Sequence, residues 1–435
     1  MSYPTVLLSE KYPYSKFYLR DRHDIVTNTK TRDKFAFIYQ LKFTNLKSKN
    51  PNSYISVNKA EWNGEITKDN GRIINCYGEL FYTCTDADFD IINWLYDWEK
   101  LEVINSWYAR KEYLPKPFLE YILQLYADKT ELKGVSGKED FYMQQKAFLN
   151  SLYGMCVTAL IPNDCIFDNG DWNINIPDDK KIIEQLKKLS DVSKEYKQDY
   201  FLSFSWGVFC TAYSRKNLFK CALGYDDKGV QHSGTENGYN CVYFDTDSIF
   251  CLGRPNYKWY NEEITDKLKR CCNVRGLDFE KTQPKDIKGK IHPLGVFDAE
   301  EDIKTFRCNH AKCYLEQRLD DNYYMTISGI NKGAVKCLSC PYKQNKKTPF
   351  ENFEDGFKFE KDADFVKKLL PTYCEDQPTI TYPDGYISRF KYGKNLRNTG
   401  YKISLSDDYS NLLRAYSLTY DDLDESQLIA FRKEI

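Results

Sequence analysis

Residues 241–251 read Cys241-Val242-Tyr243-Phe244-Asp245-Thr246-Asp247-Ser248-Ile249-Phe250-Cys251. Two apolar runs flank a short polar turn, which predicts a β-hairpin with Thr246 and Asp247 at its tip. Two carboxylates held that close repel each other unless a cation neutralises them. A hard divalent cation such as Mg²⁺ takes oxygen ligands and keeps waters and substrate phosphates in its remaining positions. Aspartate favours turns on its own account, so a plain Asp-rich turn is the competing reading. The apolar strands on both sides weigh toward the metal. Asp245 and Asp247 are the candidate metal ligands and catalytic residues.

Upstream, Lys146-Ala147-Phe148-Leu149-Asn150-Ser151-Leu152-Tyr153-Gly154 lies in a predicted helix over about 139–156. A first helix, 118–133, opens after Pro115 and Pro117, and the turn Gly134-Val135-Ser136-Gly137 joins the two. Lys146, Asn150, Tyr153 and Gly154 share one helix face. That face offers a cation for a triphosphate, an aromatic plane for a base, and a gap where a base pair can approach. Lys129 and Lys133 are again i and i+4 on the first helix, so both helices present lysines to a triphosphate. Any one of these lysines reads as an ordinary solvated side chain. Beside Asp245 and Asp247 the set reads as a nucleotide site.

The rest of the chain predicts an α+β protein. A helix begins after Pro4. Residues 25–110 read as strands and loops, punctuated at Asn63-Gly64 and Asn70-Gly71, with a helical stretch at 89–97. A Lys-rich helix is expected over 180–196 and another over 205–223. Beyond residue 335 only 362–370 and 423–433 read as helical. No internal repeat or low-complexity tract is visible.

At 435 residues the chain has room for two to four packed units, and 42% hydrophobic with 16% aromatic residues excludes disorder. The 35 tyrosines suit base stacking, although aromatic core accounts for most of them more simply. A net charge of −1 gives no sign of nucleic acid, since an acidic outer surface can balance a basic channel. The stretch Lys304, Arg307, Lys312, Arg318, Lys332, Lys336, Lys343, Lys346 and Lys347 is locally basic. Fifteen cysteines occur with neither a signal peptide nor an apolar run of spanning length, so reduced thiols, a cytoplasmic site and no membrane partner are expected. Cys337 and Cys340 have the spacing of half a zinc site, but a second CxxC is missing and Cys271-Cys272 is a poor substitute. The cysteines read as structural.

The pair K-x3-N-S-L-Y-G (Lys146 to Gly154) and Y-x-D-T-D-S (Tyr243 to Ser248) resembles motifs B and C of family-B DNA polymerases, in particular the protein-primed bacteriophage type. Three more stretches fall in order. Gly207 to Arg215 resembles the helix before motif C. Lys312-Cys313-Tyr314, after Leu294-Gly295 and Phe306-Arg307, resembles the K-x-Y motif. Ser2-Tyr3-Pro4 resembles the tail of motif A. The likeness runs from residue 2 to about 332. It implies a right-hand fold with an antiparallel palm sheet: palm at 1–24 and 201–335, fingers at 115–156, thumb at 336–435. Residues 25–114 and 157–200 resemble terminal-protein-region insertions.

The resemblance implies DNA-directed DNA synthesis with two Mg²⁺ ions, Mn²⁺ being an alternative. Asp247 would bridge the metals, with Asp245 in support. Lys146, with Lys133 or Lys129, would take the β- and γ-phosphates. Tyr3 would pack under the sugar and exclude a 2′-hydroxyl, while Tyr153, Asn150 and Gly154 line the nascent pair. Lys312 and Tyr314 would hold the primer end, and Ser151, Thr246 and Ser248 also fall on the DNA side. Partners would be primer-template DNA, dNTPs and a terminal protein, in a bacterial host cytoplasm for a phage-encoded chain.

One departure matters. Motif A should carry an aspartate a few residues before Tyr3, and this sequence does not contain it, nor an exonuclease region. Asp278-Phe279-Glu280 has the D-x-E form but no companion motifs. A C-terminal piece completed by an upstream polypeptide, a truncated longer enzyme, and a non-catalytic DNA-binding remnant are the competing expectations. A reverse transcriptase or RNA polymerase would usually have adjacent aspartates at the hairpin, and here Thr246 separates them.

Overall fold

The computed structural model describes residues 3–49, 53–69, 71–157, 203–227, 229–232, 241–253, 255–300, 302–328, 330, 332–338, 348–354 and 356–359. It also describes 164–168, 171–175, 180, 181, 184, 380–381, 387–388 and 401–402. The expected helices at 362–370 and 423–433, and most of those at 180–196, lie outside these residues, as does Cys340. The chain divides into two compact units, one of residues 1–54, 59–64 and 76–297, the other of 55–58, 65–75 and 298–435.

The first unit opens with helix α1 (Tyr3–Ser9), whose Val6, Leu7 and Leu8 are buried. Short strands β1 (Tyr12–Pro13) and β2 (Tyr18–Leu19) follow, then α2 (Thr29–Lys34) and β3 (Phe35–Ser48). Along β3 the side chains of Phe37, Tyr39, Leu41 and Phe43 are buried, the period-two signature of a strand with one face on the core. Strands β4 (Ala60–Asp69, of which 60–64 fall in this unit) and β5 (Arg72–Thr85, of which 76–85 do), helix α3 (Asp86–Leu95), β6 (Tyr96–Asp97) and β7 (Lys100–Glu112) complete a seven-stranded sheet. Its order is β1-β7-β3-β5-β4, with β2 on β7 and β6 on β3. Because β1 and β2 join it, this sheet runs across the expected boundary at 24/25.

Asn63-Gly64 is not the turn the sequence implied. It sits inside β4, where a Cβ on Gly64 would meet the Tyr77 carbonyl oxygen at 2.1 Å, and one on Gly78 would meet Asn63 O at 2.2 Å. Both glycines have positive φ, 119° and 138°. They let two backbones cross where no side chain fits. The turn falls at Gly71, between β4 and β5.

Helices α4 (Lys116–Leu132) and α5 (Glu139–Val157) form the expected helical hairpin. Phe118, Leu119, Ile122, Leu123 and Leu125 of α4, and Leu149, Leu152 and Cys156 of α5, are buried. A short hairpin, β8 (Asp164–Asp168) with β9 (Asp171–Asn175), lies within the stretch 157–200. Helix α6 (Phe204–Leu223) is buried along most of its length and packs against α1, α3 and α5. A Cβ on Gly207 would lie 2.2 Å from Val157 Cγ1, so α5 and α6 cross closely there. Strands β10 (Cys241–Asp245) and β11 (Ser248–Cys251) form the hairpin expected from the opening stretch. Helix α7 (Lys258–Arg275) was not anticipated, although Tyr260, Ile264, Leu268 and Cys271, all buried, mark its apolar stripe in the sequence. Cys271 and Cys272 are free and buried there, which suits the structural reading of the cysteines.

A short internal repeat is present, contrary to the reading of the sequence. Asp226 to His232 and Asp286 to His292 both spell D-x-K-G-x-x-H, sixty residues apart. The described residues of the two make the same bonds. Asp226 N–H donates to Val230 O at 3.0 Å and Asp286 N–H to Lys290 O at 2.9 Å. The Asp226 carboxylate accepts from Val230 N–H and pairs with His232 Nε2 at 3.2 Å. The Asp286 carboxylate accepts from Lys290 N–H and pairs with His292 Nε2 at 2.9 Å. With two gaps in the spacing and only four shared residues, such a repeat is invisible until the bonds coincide.

In the second unit β12 (Ile303–His310), β13 (Cys313–Arg318) and β14 (Tyr323–Ile327) form an antiparallel sheet over a core that includes Leu315, Met325, Ile327, Leu338 and Phe353. The overall class is α+β with antiparallel sheets. Of the basic stretch read in this region, Lys304 is paired with Asp321 at 2.9 Å and Arg318 with Glu316 at 3.1 Å.

Candidate functional site: a carboxylate hairpin and a lysine cluster

The hairpin tip is a two-residue turn. Asp245 pairs with Ser248 across it, and Thr246 has φ 52°, a left-handed conformation that β-branched residues rarely adopt. The main chain around Asp245 closes on itself: Asp247 N–H donates to Asp245 O at 2.6 Å, and Ser248 Oγ donates to the same oxygen at 3.3 Å. Thr246 Oγ1 donates to Asp245 Oδ1 at 3.0 Å. Asp247 is exposed and Asp245 half-buried.

What fixes the tip lies behind it. Phe244 meets Phe219 of α6 edge-on, ring centroids 5.0 Å apart, and Phe219 in turn meets Tyr54 at 5.3 Å. Phe244 and Ile249 pack on the buried Leu218, Cys221, Tyr260 and Ile264 of α6 and α7. Arg215, in the stretch resembling the helix before motif C, donates to the Tyr54 hydroxyl at 2.7 Å and to Asp88 at 2.8 Å. This buried support escaped the reading of the sequence. Arg215 carried a signal there, and nothing local pointed to Tyr54 or Asp88.

Burial lowers the Lys129 ammonium below its usual range; the charges of Lys133 and Lys146 lower it further, and Asp247 acts in the opposite sense. Three residues chosen from the sequence, two cations and one hairpin carboxylate, thus lie within electrostatic range of Lys129. Lys133 and Lys146 are exposed.

Tyr3 and Tyr153 are also brought together, their rings 3.8 Å apart and tilted by 31°. Burial and the hydrogen bond with Tyr153 push the Tyr3 hydroxyl up to about 12. A Cβ on Gly154 would meet nothing within 4 Å, so the gap on that face of α5 is real. Asn150 and Ser151 are exposed, and Ser151 Oγ donates to Phe148 O of its own helix at 3.0 Å. Lys312 and Tyr314 belong to the second unit: Lys312 is exposed at the β12–β13 turn with φ 55°, and Tyr314 packs on Phe306 at 5.5 Å. Asp278 caps the short helical turn 279–282 by accepting from Glu280 N–H, a structural use of the D-x-E stretch.

Among the described residues no group of three or more His, Cys, Asp or Glu side chains could hold a metal ion. None of the helices among them is long and apolar enough to cross a membrane.

No protein-family model matches the sequence, and no curated protein matches it. Solved structures do match the fold. Phi29 DNA polymerase complexed with primer-template DNA superposes with a TM-score of 0.53 at 15% identity, covering 92% of this chain and 56% of that one. Phi29 DNA polymerase complexed with single-stranded DNA gives a TM-score of 0.51 at 15% identity over the same shares. The chain has a DNA-polymerase-like fold. It spans 56% of the length of those structures.

Proposed function

We propose that this chain is the polymerase portion of an enzyme of template-directed DNA synthesis, transferring a nucleotide from a dNTP to a primer 3′-hydroxyl. The observation that carries the proposal is that Lys129 lies within electrostatic range of Asp247, Lys133 and Lys146, on a helical pair whose second helix also sets Tyr153 against Tyr3. A carboxylate tip within range of a lysine cluster suits a substrate that brings both a cation and a triphosphate. The Phi29 enzyme of similar fold holds primer-template DNA, which supports the same partner here.

The donors at the tip are carboxylate oxygens, the hard ligands that Mg²⁺ or Mn²⁺ takes while keeping waters and substrate phosphates. Asp247 and Asp245 would hold it; the family pattern adds a third carboxylate ahead of Tyr3. When bound, such ions neutralise charge on the reacting phosphate. Lys129, Lys133 and Lys146 take the β- and γ-phosphates and stabilise the negative charge of the leaving pyrophosphate. Tyr153, backed by Tyr3, offers its ring to the base and sugar, and Gly154 leaves the edge of the nascent pair uncovered. Lys312 and Tyr314 would hold the primer end. Residues 25–114 are the candidate contact for a terminal protein.

The test is primer extension with Mg²⁺ and dNTPs, by the chain alone and with an upstream-encoded polypeptide that supplies the exonuclease and the further aspartate. Extension in either arm that Asp247→Ala removes is the expected result. Template binding with no extension in both arms would replace the proposal by a non-catalytic DNA-binding role.

A further inference from the structure

Tyr126 lies one helical turn before Lys129 on α4, on the same face. The Lys129 ammonium stands 5.4 Å from the centroid of the Tyr126 ring. The Tyr126 hydroxyl donates to the carbonyl oxygen of His292 at 3.0 Å. Burial pushes that hydroxyl up to about 12, so it remains a donor.

The acceptor is a fixed point. His292 closes the second D-x-K-G-x-x-H turn: its N–H donates to Pro284 O at 2.9 Å, and its imidazole is paired with Asp286 at 2.9 Å. Just beyond, Leu294 N–H donates to Thr282 O at 2.9 Å and its side chain is buried in the main core. Gly295 lies so close to α1 that a Cβ on it would come within 2.3 Å of Thr5 Cγ2. The sister turn at 226–232, with the same backbone and Asp–His bonds, indicates that this turn is set by its own residues and not by what it touches.

Lys133 and Lys146 both repel the Lys129 ammonium, and a long side chain that is free to swing would turn it toward water. An aromatic face attracts a cation most strongly where water is partly excluded. We propose that Tyr126, braced by the 286–292 turn, is a positioning residue that holds the Lys129 ammonium in the cluster before a triphosphate arrives. The inference deepens the nucleotide-site reading and rests on it. Preorganisation of this kind strengthens binding by removing an ordering cost from the binding step.

The test is a double-mutant cycle with inorganic tripolyphosphate titrated calorimetrically into the full chain, with no catalysis required. Tyr126→Leu removes ring and hydroxyl; Tyr126→Phe removes the hydroxyl alone. From the strength of such contacts, Tyr126→Leu is expected to weaken binding about fivefold and Tyr126→Phe about twofold. In a Lys129→Ala background neither should weaken it further. If the Tyr126 variants cost the same with or without Lys129, or if both bind as the native chain does, the positioning role is wrong. Should Tyr126→Leu fail to fold, the Tyr126→Phe cycle decides alone. A native chain that binds no tripolyphosphate overturns the nucleotide site and this inference together, whereas binding with additive losses overturns the inference only.

Discussion

Asp245 and Asp247 are two residues apart and differ in their commitments. The Asp245 carboxylate already accepts from Thr246, whereas Asp247 is exposed and acts on Lys129 from across the site. Under the proposed function, Asp247→Ala should therefore lower nucleotide transfer by on the order of 10²–10³, the loss typical of removing one electrostatic stabiliser at a reacting centre. Primer extension under saturating dNTP checks it, with a far-ultraviolet spectrum to show that the fold survives. The base of the same hairpin carries a second residue-scale contrast. Cys241 and Cys251 are cross-strand partners. A hydrogen bond from the Cys241 thiol, against burial and with the Tyr257 hydroxyl at 3.6 Å also bonded, brings the Cys251 thiol down to about 7. The Cys271 thiol is instead pushed up to about 12, chiefly by burial. Iodoacetamide should thus label Cys251 first among the described cysteines, at a rate that climbs as pH rises through about 7. Persistence of the fast phase in Cys251→Ser would contradict this.

At the scale of elements, the α5–α6 crossing and the open face of α5 make opposite demands on two glycines. Gly207→Ala has no room for its methyl beside Val157, and such overpacking costs about 1–3 kcal/mol. Gly154→Ala adds a methyl into open space within a helix, so it should leave stability unchanged or raise it by up to ~1 kcal/mol. Yet under the proposed function that methyl fills the gap left for the nascent pair, so the dNTP KM should rise. Urea midpoints for both variants and extension kinetics for the second separate packing from function. The helical hairpin and the carboxylate hairpin were legible as elements because their periodicity is local. The seven-stranded sheet was legible only as strands. Its order depends on pairings between segments as distant as Tyr12 and Glu112, which no window of sequence contains.

Across the first unit a set of buried charges ties the helices to one another. Lys216 bonds Asp90 at 2.8 Å, Lys220 bonds Asp227 at 2.9 Å and Glu263 at 2.5 Å, and Lys267 bonds Asp227 and Glu10 at 2.7 Å each. Burial alone would raise the Asp227 carboxyl, but Lys267, Lys216 and Lys220 outweigh it and hold it well below the usual range. Asp90 is lowered in the same way, against burial, by Lys216 and Arg32. Lys216 and Lys267 are raised, again against burial, by their carboxylate partners. A depressed carboxyl contributes stability that is present above its unfolded value, about 3.9, and is lost as pH falls through the folded one. A raised lysine contributes stability that is full below about 10.4 and is lost as pH rises through the folded value. The contribution of these pairs should be constant between these limits, and the urea midpoint should fall below about pH 4. A midpoint that already declines between pH 7 and pH 5 would point to other groups.

By itself the sequence determined the parts whose chemistry is local: the hairpin with Asp245 and Asp247, the helical pair with Lys129, Lys133, Lys146 and Tyr153, and the α+β class. Side-chain period and turn chemistry act over a few residues, so such elements can be read in place. Tertiary structure alone decided that Lys129 shares a field with Asp247, that Tyr126 rests on the His292 carbonyl, and that Arg215, Tyr54 and Asp88 stand behind the hairpin. Those contacts join residues 118 to 166 positions apart. They exist because hydrophobic burial packs α4, α6 and the sheet around one core, and burial fixes which polar groups must meet without leaving any local mark in the chain.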